Sequence, residues 1–244
     1  MTRLSVNLNK VALLRNTRTI GIPSVIHAAR LCIEAGARGI TVHPRPDERH
    51  IRKSDVYDLA DFLAGYPNVE FNIEGNPFPE FMKIIRDVRP AQCTLVPDDP
   101  GAFTSDHGWD LAVDAERLRP ILAEIRQQGS RISLFMDADS REWKTAREIG
   151  ADCVELYTEP YAAAFGKPEC ESVFGRFAEA ARAAQSVGLG VNAGHDLNLT
   201  NLGLFCTIPG ILEVSIGHAL IAEALEMGVP ATVRAYLKVL EASS

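Results

Sequence analysis

The sequence predicts an α/β fold, a (β/α)8 TIM barrel with additional short helices, formed by one catalytic domain over residues 1–244. Three observations support this: a length of 244 residues, eight short β-rich runs, and a helical pattern after each run. Barrels of this kind typically need about 250 residues. Because a helix follows each strand, consecutive strands are expected to lie parallel, and eight of them favour a closed barrel.

The predicted strands are short apolar runs. They comprise residues 4–7, 39–43, 69–74, 92–96, 131–136, 153–156, 190–193 and 213–216. Between and after them, apolar residues recur at positions i, i+3 and i+4, which is typical of amphipathic helices. The predicted helices comprise residues 24–34, 54–63, 79–88, 115–127, 141–149, 173–186, 197–205, 218–226 and 231–241.

Glycines mark several junctions from helix to strand. In the segments EAGARGITVH, EIGADCVELY and SVGLGVNAGH, a glycine follows the predicted helix and precedes the predicted strand. Glycine is common there because many helices end in a left-handed residue. The alternative architecture is a doubly wound open sheet, but no GxGxxG segment follows the first strand.

Composition narrows the classes of function. The net charge is −7 and no long basic run is present, so nucleic-acid binding is not expected. The sequence contains neither a signal-like N-terminus nor an apolar stretch of the roughly 18 residues that a membrane span needs. The five cysteines form no CxxC pair, which indicates free thiols in a reducing compartment. We therefore expect a cytoplasmic protein without membrane partners.

Polar and titratable residues follow the predicted strands, where barrel enzymes carry their chemistry. In chain order they are Asn7, Asn9 and Lys10; His43, Arg45 and His50; Glu74; Thr104; Glu155; His195 and Asp196; and Gly217 and His218. Four of the six histidines are in this set. Titratable groups that converge in one pocket are typical of acid and base catalysis.

Three of these residues are hard to explain by structure alone. His43, Glu74 and His195 end hydrophobic strands, where burial of a polar group without compensation is costly.

Glu155 has two interpretations, a catalytic group or a buried carboxylate that holds a neighbour in place. For Asp137, which follows the fifth strand with a second aspartate close by, we favour capping of the next helix.

Phosphate binding is expected where Gly217-His218 begins a helix, because unpaired N–H groups and the helix dipole attract anions. Arg18 and Arg45 could each pair with a phosphate, since a guanidinium matches phosphate oxygens. On spacing alone, Arg15 and Arg18 could equally lie in a solvated loop. The long segment 97–110 could close over bound substrates.

A divalent metal ion is the alternative occupant of this site. His43, Glu74 and His195 include suitable ligand types. However, the sequence contains no HxH or HExxH motif, and Arg45 would place positive charge nearby. We therefore expect no metal.

The motifs around these residues resemble the pyridoxine 5'-phosphate synthase family in order and spacing. They are SVNLNKVALLRNTR, GITVHPRPDERHI, NIEG, LVP with a following threonine, SLFMDAD, VELYT, VNAGH and SIGHALI. The resemblance extends from about residue 4 to the final helix. It implies condensation of 1-deoxy-D-xylulose 5-phosphate with 3-amino-2-oxopropyl phosphate through a Schiff base, with loss of phosphate and water. It also implies a homo-octamer, a mobile lid and no cofactor.

The resemblance implies a role for each matching residue. His43 and Glu74 would be general bases, His195 a proton donor and Glu155 a stabiliser of the transition state. The contacts to the aminoketone phosphate would be Asn7, Arg18, Gly217 and His218. The contacts to the sugar phosphate would be Arg45, His50 and Thr104.

Three residues depart from the family pattern. Asn9-Lys10 stands where many members have an aspartate and a histidine, and Asp196 stands where a glycine often follows the histidine. Lys10 could supply positive charge to the same substrate. We keep Asn9, Lys10 and Asp196 as expected substrate contacts.

Two other functions fit the same fold. One is a different phosphosugar-processing barrel enzyme, although a Schiff-base aldolase would need a lysine on a strand and the predicted strands contain none. The other is a barrel that only binds phosphometabolites or serves as an assembly subunit. Such a barrel would not require an acid and base pair such as Glu74 and His195.

Overall fold

The computed structural model describes residues 1–243, and Ser244, the last residue of the predicted domain, lies outside them. Eight parallel strands form a closed barrel in chain order, and the last strand pairs with the first. The strands are β1 (Arg3–Asn7), β2 (Gly39–Val42), β3 (Glu70–Gly75), β4 (Gln92–Leu95), β5 (Arg131–Met136), β6 (Cys153–Tyr157), β7 (Gly190–Gly194) and β8 (Ile211–Ile216). The predicted TIM barrel is therefore confirmed.

Helices follow the strands and cover the outside of the barrel. They are α1 (Asn9–Asn16), α2 (Val25–Glu34), α3 (Lys53–Leu63), α4 (Pro79–Val88), α5 (Leu111–Gln127), α6 (Trp143–Ile149), α7 (Glu159–Ala164), α8 (Cys170–Ser186), α9 (Leu202–Phe205), α10 (His218–Met227) and α11 (Val229–Ala242). Within residues 1–243, no helix is long and apolar enough to cross a membrane.

Three helices differ from the prediction. The short helices α1 and α7 were not predicted individually, and the predicted helix 197–205 is reduced to Leu202–Phe205. Side-chain hydrogen bonds account for the reduction. The Asn198 carboxamide oxygen accepts the N–H groups of Thr200 and Asn201, and the Asn201 oxygen accepts the N–H of Asn198. Such local bonds compete with the helical hydrogen bonds of the backbone.

Helix α1 is tied to the segment before α3 by a buried ion pair. The Arg15 guanidinium binds both oxygens of Asp55 and the carbonyl of His50. Asp55 also accepts the backbone N–H of Arg52 at the start of α3. Arg15 is buried rather than solvated, so the loop interpretation of this residue was wrong.

The barrel interior is polar rather than filled with branched apolar side chains. Ser5, Thr41, Asn72 and Thr94 alternate along β1 to β4 with apolar residues that face the helices, and hydrogen bonds join their side chains in sequence. On the opposite wall, Asn192 of β7 donates across the barrel to Gln92 of β4, and Gln92 donates to Glu213 of β8. These bonds satisfy polar groups that burial would otherwise penalise.

We expect Asp55→Asn to lower the free energy of unfolding by about 3 kcal/mol, because the Arg15 charge would remain buried without its counter-ion. Urea denaturation measures this change. Asp87→Asn is the matched control, since Asp87 pairs with Lys83 on the exposed surface of α4 and its loss should leave the midpoint unchanged. A change for Asp55→Asn as small as that of the control would contradict the importance of the buried pair.

Candidate active site

A cavity of about 480 Å³ opens at the carboxyl ends of the strands. Every predicted site residue except Arg18 lines it: Asn7, Asn9, Lys10, His43, Arg45, His50, Glu74, Thr104, Glu155, His195, Asp196, Gly217 and His218. Arg18 is exposed in the turn after α1 and lies outside the cavity. Nearly all of the residues selected from the sequence therefore share one pocket.

His43 and Glu74 lie on adjacent strands at the floor of the cavity. The backbone N–H of His43 donates to the Asn9 side chain at 3.0 Å, which ties the end of β2 to the start of α1. The Asn7 amide reaches the Glu74 carboxylate at 3.4 Å. Asn7 and Asn9 thus position the two candidate bases as well as lining the pocket.

His195 enters the cavity through an unusual bend of the backbone. His195 and Asp196 have φ angles of 86° and 58°, a left-handed region that side chains disfavour. The Thr158 hydroxyl holds this bend by donating to the carbonyls of Gly194 and His195. The imidazole then packs against Phe135 and Tyr157, with ring centroids 5.6 and 5.2 Å apart.

The Glu155 carboxyl lies against the backbone of the next strand. A Cβ atom at Gly194 would overlap Glu155 Oε1, so only glycine leaves space for the carboxyl there. Glu155 is buried and lines the same pocket as Glu74. The two carboxyls thus share a region with little water.

Burial sets the protonation state of both carboxyls. It raises the pKa of Glu74 well above its usual value, and the neighbouring Glu155 charge adds to this effect. It also raises the pKa of Glu155 to about 8, with a further contribution from Glu213. At neutral pH, Glu155 therefore carries its proton.

The histidines shift in the opposite direction. Burial and then the Arg45 charge lower the pKa of His43 well below 6.5 and that of His50 to about 4. Burial likewise lowers the pKa of His195. The His50 Nδ1 atom accepts the N–H of Ile51, so its other nitrogen carries the hydrogen. The cavity thus combines neutral imidazoles, which can accept protons, with a carboxylic acid that can donate one.

One end of the cavity suits an anion. Gly217 and His218 begin α10 without a side-chain cap, so the first N–H groups of that helix are open to a ligand. Asn7 lies beside Gly217, where an added Cβ atom would approach it to 3.1 Å. The phosphate site that the sequence predicts at this position stays a prediction.

Arg45, in contrast, already binds protein groups. Its guanidinium pairs with the buried Asp98 and donates to the carbonyl of Ala102 at 3.0 Å. The Ser105 hydroxyl donates to the same Asp98 oxygen at 2.7 Å. In this state Arg45 fastens the loop after β4, and a phosphate would have to compete with Asp98 for it.

Arg49 also holds this loop, and sequence reasoning missed it. It donates to the carbonyls of Pro100, Ala102 and Phe103, while Phe103 itself is exposed. Asp98, which pairs with Arg45 and so holds the same loop, was missed as well. The only available signal was their position just after β2 and β4, which many surface residues share.

The prediction that Asp137 caps the following helix was wrong. Helix α6 begins at Trp143, and its N-cap residue Glu142 makes no capping bond. Asp137 instead accepts the N–H of Gly108 at 3.0 Å and anchors the far end of the β4–α5 loop. His107, in the same loop, is exposed, pairs with Asp106 and lies outside the cavity.

Within residues 1–243, no group of three or more histidine, cysteine, aspartate or glutamate side chains is arranged to hold a metal ion. His43, Glu74 and His195 share the cavity but do not form such a group.

The family model described as "Pyridoxal phosphate biosynthesis protein PdxJ" matches residues 4–242. The pyridoxine 5'-phosphate synthase of Albidiferax ferrireducens is 60% identical, with 97% of this chain and 96% of that protein covered. The enzyme of the same name from Xanthomonas oryzae pv. oryzae is 53% identical, with 99% and 98% covered.

Among solved structures, the chain is similar to a phosphoribosyl anthranilate isomerase from Thermus thermophilus. The TM-score is 0.63 at 13% identity, and 100% of each chain is covered. At this identity the likeness shows the fold alone, which agrees with the closed eight-stranded barrel.

We expect Glu155→Gln to stabilise the protein more at pH 8 than at pH 5. The folded-state pKa of Glu155 is raised from 4.5 to about 8, so its favourable contribution is complete below pH 4.5 and is lost as the pH rises towards 8. Glutamine removes this loss, by a total of about 5 kcal/mol at most. Urea denaturation at both pH values measures the difference.

Glu179→Gln, at an exposed position of α8, controls for the loss of a negative charge. If the two variants show the same dependence on pH, the raised pKa of Glu155 is contradicted.

Proposed function

Because the chain belongs to the family described as pyridoxal phosphate biosynthesis protein PdxJ, we propose that it is a pyridoxine 5'-phosphate synthase. It would condense 1-deoxy-D-xylulose 5-phosphate with 3-amino-2-oxopropyl phosphate and release phosphate and water. The observation that carries this proposal is the pairing of neutral histidines with a protonated carboxyl in one cavity that also has an anion site. Schiff-base formation, dehydration and ring closure all require repeated proton transfers.

The two phosphates of the substrates are assigned to two different groups of residues in the cavity. Asn7, Gly217 and His218 support the aminoketone phosphate through the open start of α10. The groups assigned to the sugar phosphate are Arg45, His50 and Thr104, with Asn9, Lys10 and Asp196 as further substrate contacts. Holding both substrates in this way makes their reaction effectively unimolecular.

The catalytic groups divide into acceptors and donors of protons. His43 is neutral and suits a general base. Burial and the Glu155 charge raise the pKa of Glu74 and so favour its protonated form, whereas a cationic amine bound beside it would favour its ionised, basic form. His195 would donate a proton once it has been charged by the reaction, and Glu155 would stabilise negative charge as it develops.

Arg18 does not fit this assignment without a rearrangement. It is exposed and lies outside the cavity, so a phosphate contact would require the turn after α1 to move towards the site. The exposed position also leaves its guanidinium accessible for such a movement.

The loop after β4 is the proposed lid. Arg45 and Arg49, which both line the cavity, hold it through Asp98 and backbone carbonyls. Phosphate that binds Arg45 would weaken one of the contacts, which couples substrate binding to movement of the loop.

We also propose that the chain forms a homo-octamer in the cytoplasm and acts without a metal or organic cofactor. Exposed apolar residues on and after α1, namely Leu14, Ile20 and Ile22, support self-association. Five free cysteines support a reducing compartment. Light scattering of the purified protein would measure the oligomer.

A Schiff-base aldolase is less compatible with the site. None of the eight strands carries a lysine, and Lys10 lies in α1 at the cavity edge. A barrel that only binds phosphometabolites would leave the buried Glu74 and Glu155 without a purpose, although their burial is costly.

The direct test mixes the purified protein with both phosphorylated substrates, once with and once without a chelator. We expect pyridoxine 5'-phosphate and free phosphate in equal amounts, because the reaction releases one phosphate for each product. Folded protein that forms no product would refute the proposal. Product that disappears on chelation would refute the metal-free part of it.

His43→Ala and Glu74→Gln should each lower kcat by about 100-fold or more while changing KM by less than about threefold, since a general base acts mainly on the chemical step. His107→Ala is the control, because His107 is exposed on the same face of the barrel but outside the cavity. Steady-state kinetics with both substrates measures the effect. A large rise in KM with unchanged kcat would assign these residues to binding instead.

A further inference from the structure

Glu213 is a third buried glutamate that the proposed reaction does not use. It lies in β8, is 3% exposed and does not line the active-site cavity. Its position in the sheet places it near Glu155, a glutamate that does line the cavity. Asn192 of β7 is the register partner of both Glu213 and Glu155.

The three residues therefore form one row across β6, β7 and β8. Neighbouring strands lie about 4.8 Å apart, so the two glutamates are separated by a single strand. Asn192 and Glu213 both point into the barrel, because each bonds to Gln92 on the opposite wall. Glu155 points inward too, since it lines the cavity.

The two carboxyls differ in what surrounds them. Glu213 accepts a hydrogen bond from Gln92 at 3.3 Å and faces the positive charges of Arg3 and Arg131. Within residues 1–243, the Glu155 carboxyl accepts no hydrogen bond, and the charged groups that act on it are carboxyls, Glu213 and Glu74. A negative charge is thus better stabilised on Glu213 than on Glu155.

We propose that Glu213 is a positioning residue that carries the negative charge of this pair and thereby keeps Glu155 protonated. Two buried carboxylates separated by a single strand cannot both be charged easily. Glu155 then presents an O–H donor to the cavity, aimed at oxygen atoms on which charge develops. The role of Glu155 in turnover rests on the proposed function, whereas its protonation by Glu213 does not.

Other charged groups modulate the pair in defined directions. Arg3 of β1 and Arg131 of β5 lower the pKa of Glu213, and Glu70 of β3, which binds both arginines, raises it. Burial raises the pKa of Glu213 to about 7 and that of Glu155 to about 8. The order of these two pKa values agrees with the geometry, because Glu213 ionises at a lower pH than Glu155.

The test is the pH profile of kcat for Glu213→Gln. Loss of the like charge should let Glu155 ionise more easily, so the high-pH limb should move down by about one pH unit. At pH 6, kcat and KM should stay within about twofold of the wild type, because Glu155 is protonated in both proteins. A profile that superimposes on that of the wild type would overturn the proposal.

Two further variants separate electrostatics from packing. Arg3→Gln removes a cation that stabilises the Glu213 charge, so it should also move the limb to lower pH. Arg3 lies at the partly exposed end of the barrel, so this variant keeps the test available if Glu213→Gln does not fold. Glu70→Gln should not move the high-pH limb of the kcat profile to lower pH, because this variant removes a charge that opposes ionisation of Glu213. A downward shift in Glu70→Gln as large as in Glu213→Gln would indicate a structural effect and overturn the proposal.

Infrared spectroscopy tests the same idea without turnover. The carboxylic-acid C=O band that disappears in Glu155→Gln identifies Glu155, and its loss with rising pH is followed in the wild type and in Glu213→Gln. We expect the band to disappear at lower pH in Glu213→Gln. An identical titration would overturn the proposal. A wild-type enzyme that forms no product but shows the expected shift would refute only the proposed function.

Discussion

The burial of carboxyl groups inside a polar barrel is the constraint on which the site depends. Glu74 and Glu155 line the cavity and Glu213 does not, but all three are buried from the water that would stabilise a charge. Hydrogen bonds along the inner wall join many of the uncharged groups, but they supply few donors to the carboxyls. The carboxyls therefore retain protons at a pH where exposed ones would not.

The same constraint acts on the histidines in the opposite direction. Because burial disfavours any charge, and Arg45 adds to this effect, His43 and His50 stay neutral. The usual order of acid strengths is thus reversed, since burial raises the pKa of Glu155 to about 8 and lowers that of His50 to about 4. At one pH the site therefore offers neutral imidazoles as proton acceptors and a protonated carboxyl as a proton donor, which suits a reaction with several successive proton transfers.

The ion pair between Arg45 and Asp98 connects this chemistry to substrate binding. Arg45 is within the cavity but is neutralised by Asp98, and the same contact holds the loop after β4. A phosphate can bind Arg45 only by competing with that carboxylate. The positive charge near His43 and the position of the loop therefore depend on one ion pair.

The sequence by itself determined the barrel and most of the cavity lining. Alternating strand and helix patterns allow few topologies, and residues at the carboxyl ends of parallel strands must converge. Only the tertiary structure showed that Arg18 lies outside, that Arg45 is paired with Asp98, and that Glu213 shares a row with Glu155. These features depend on strand register and on side-chain contacts between segments distant in sequence, and no local pattern records either of them.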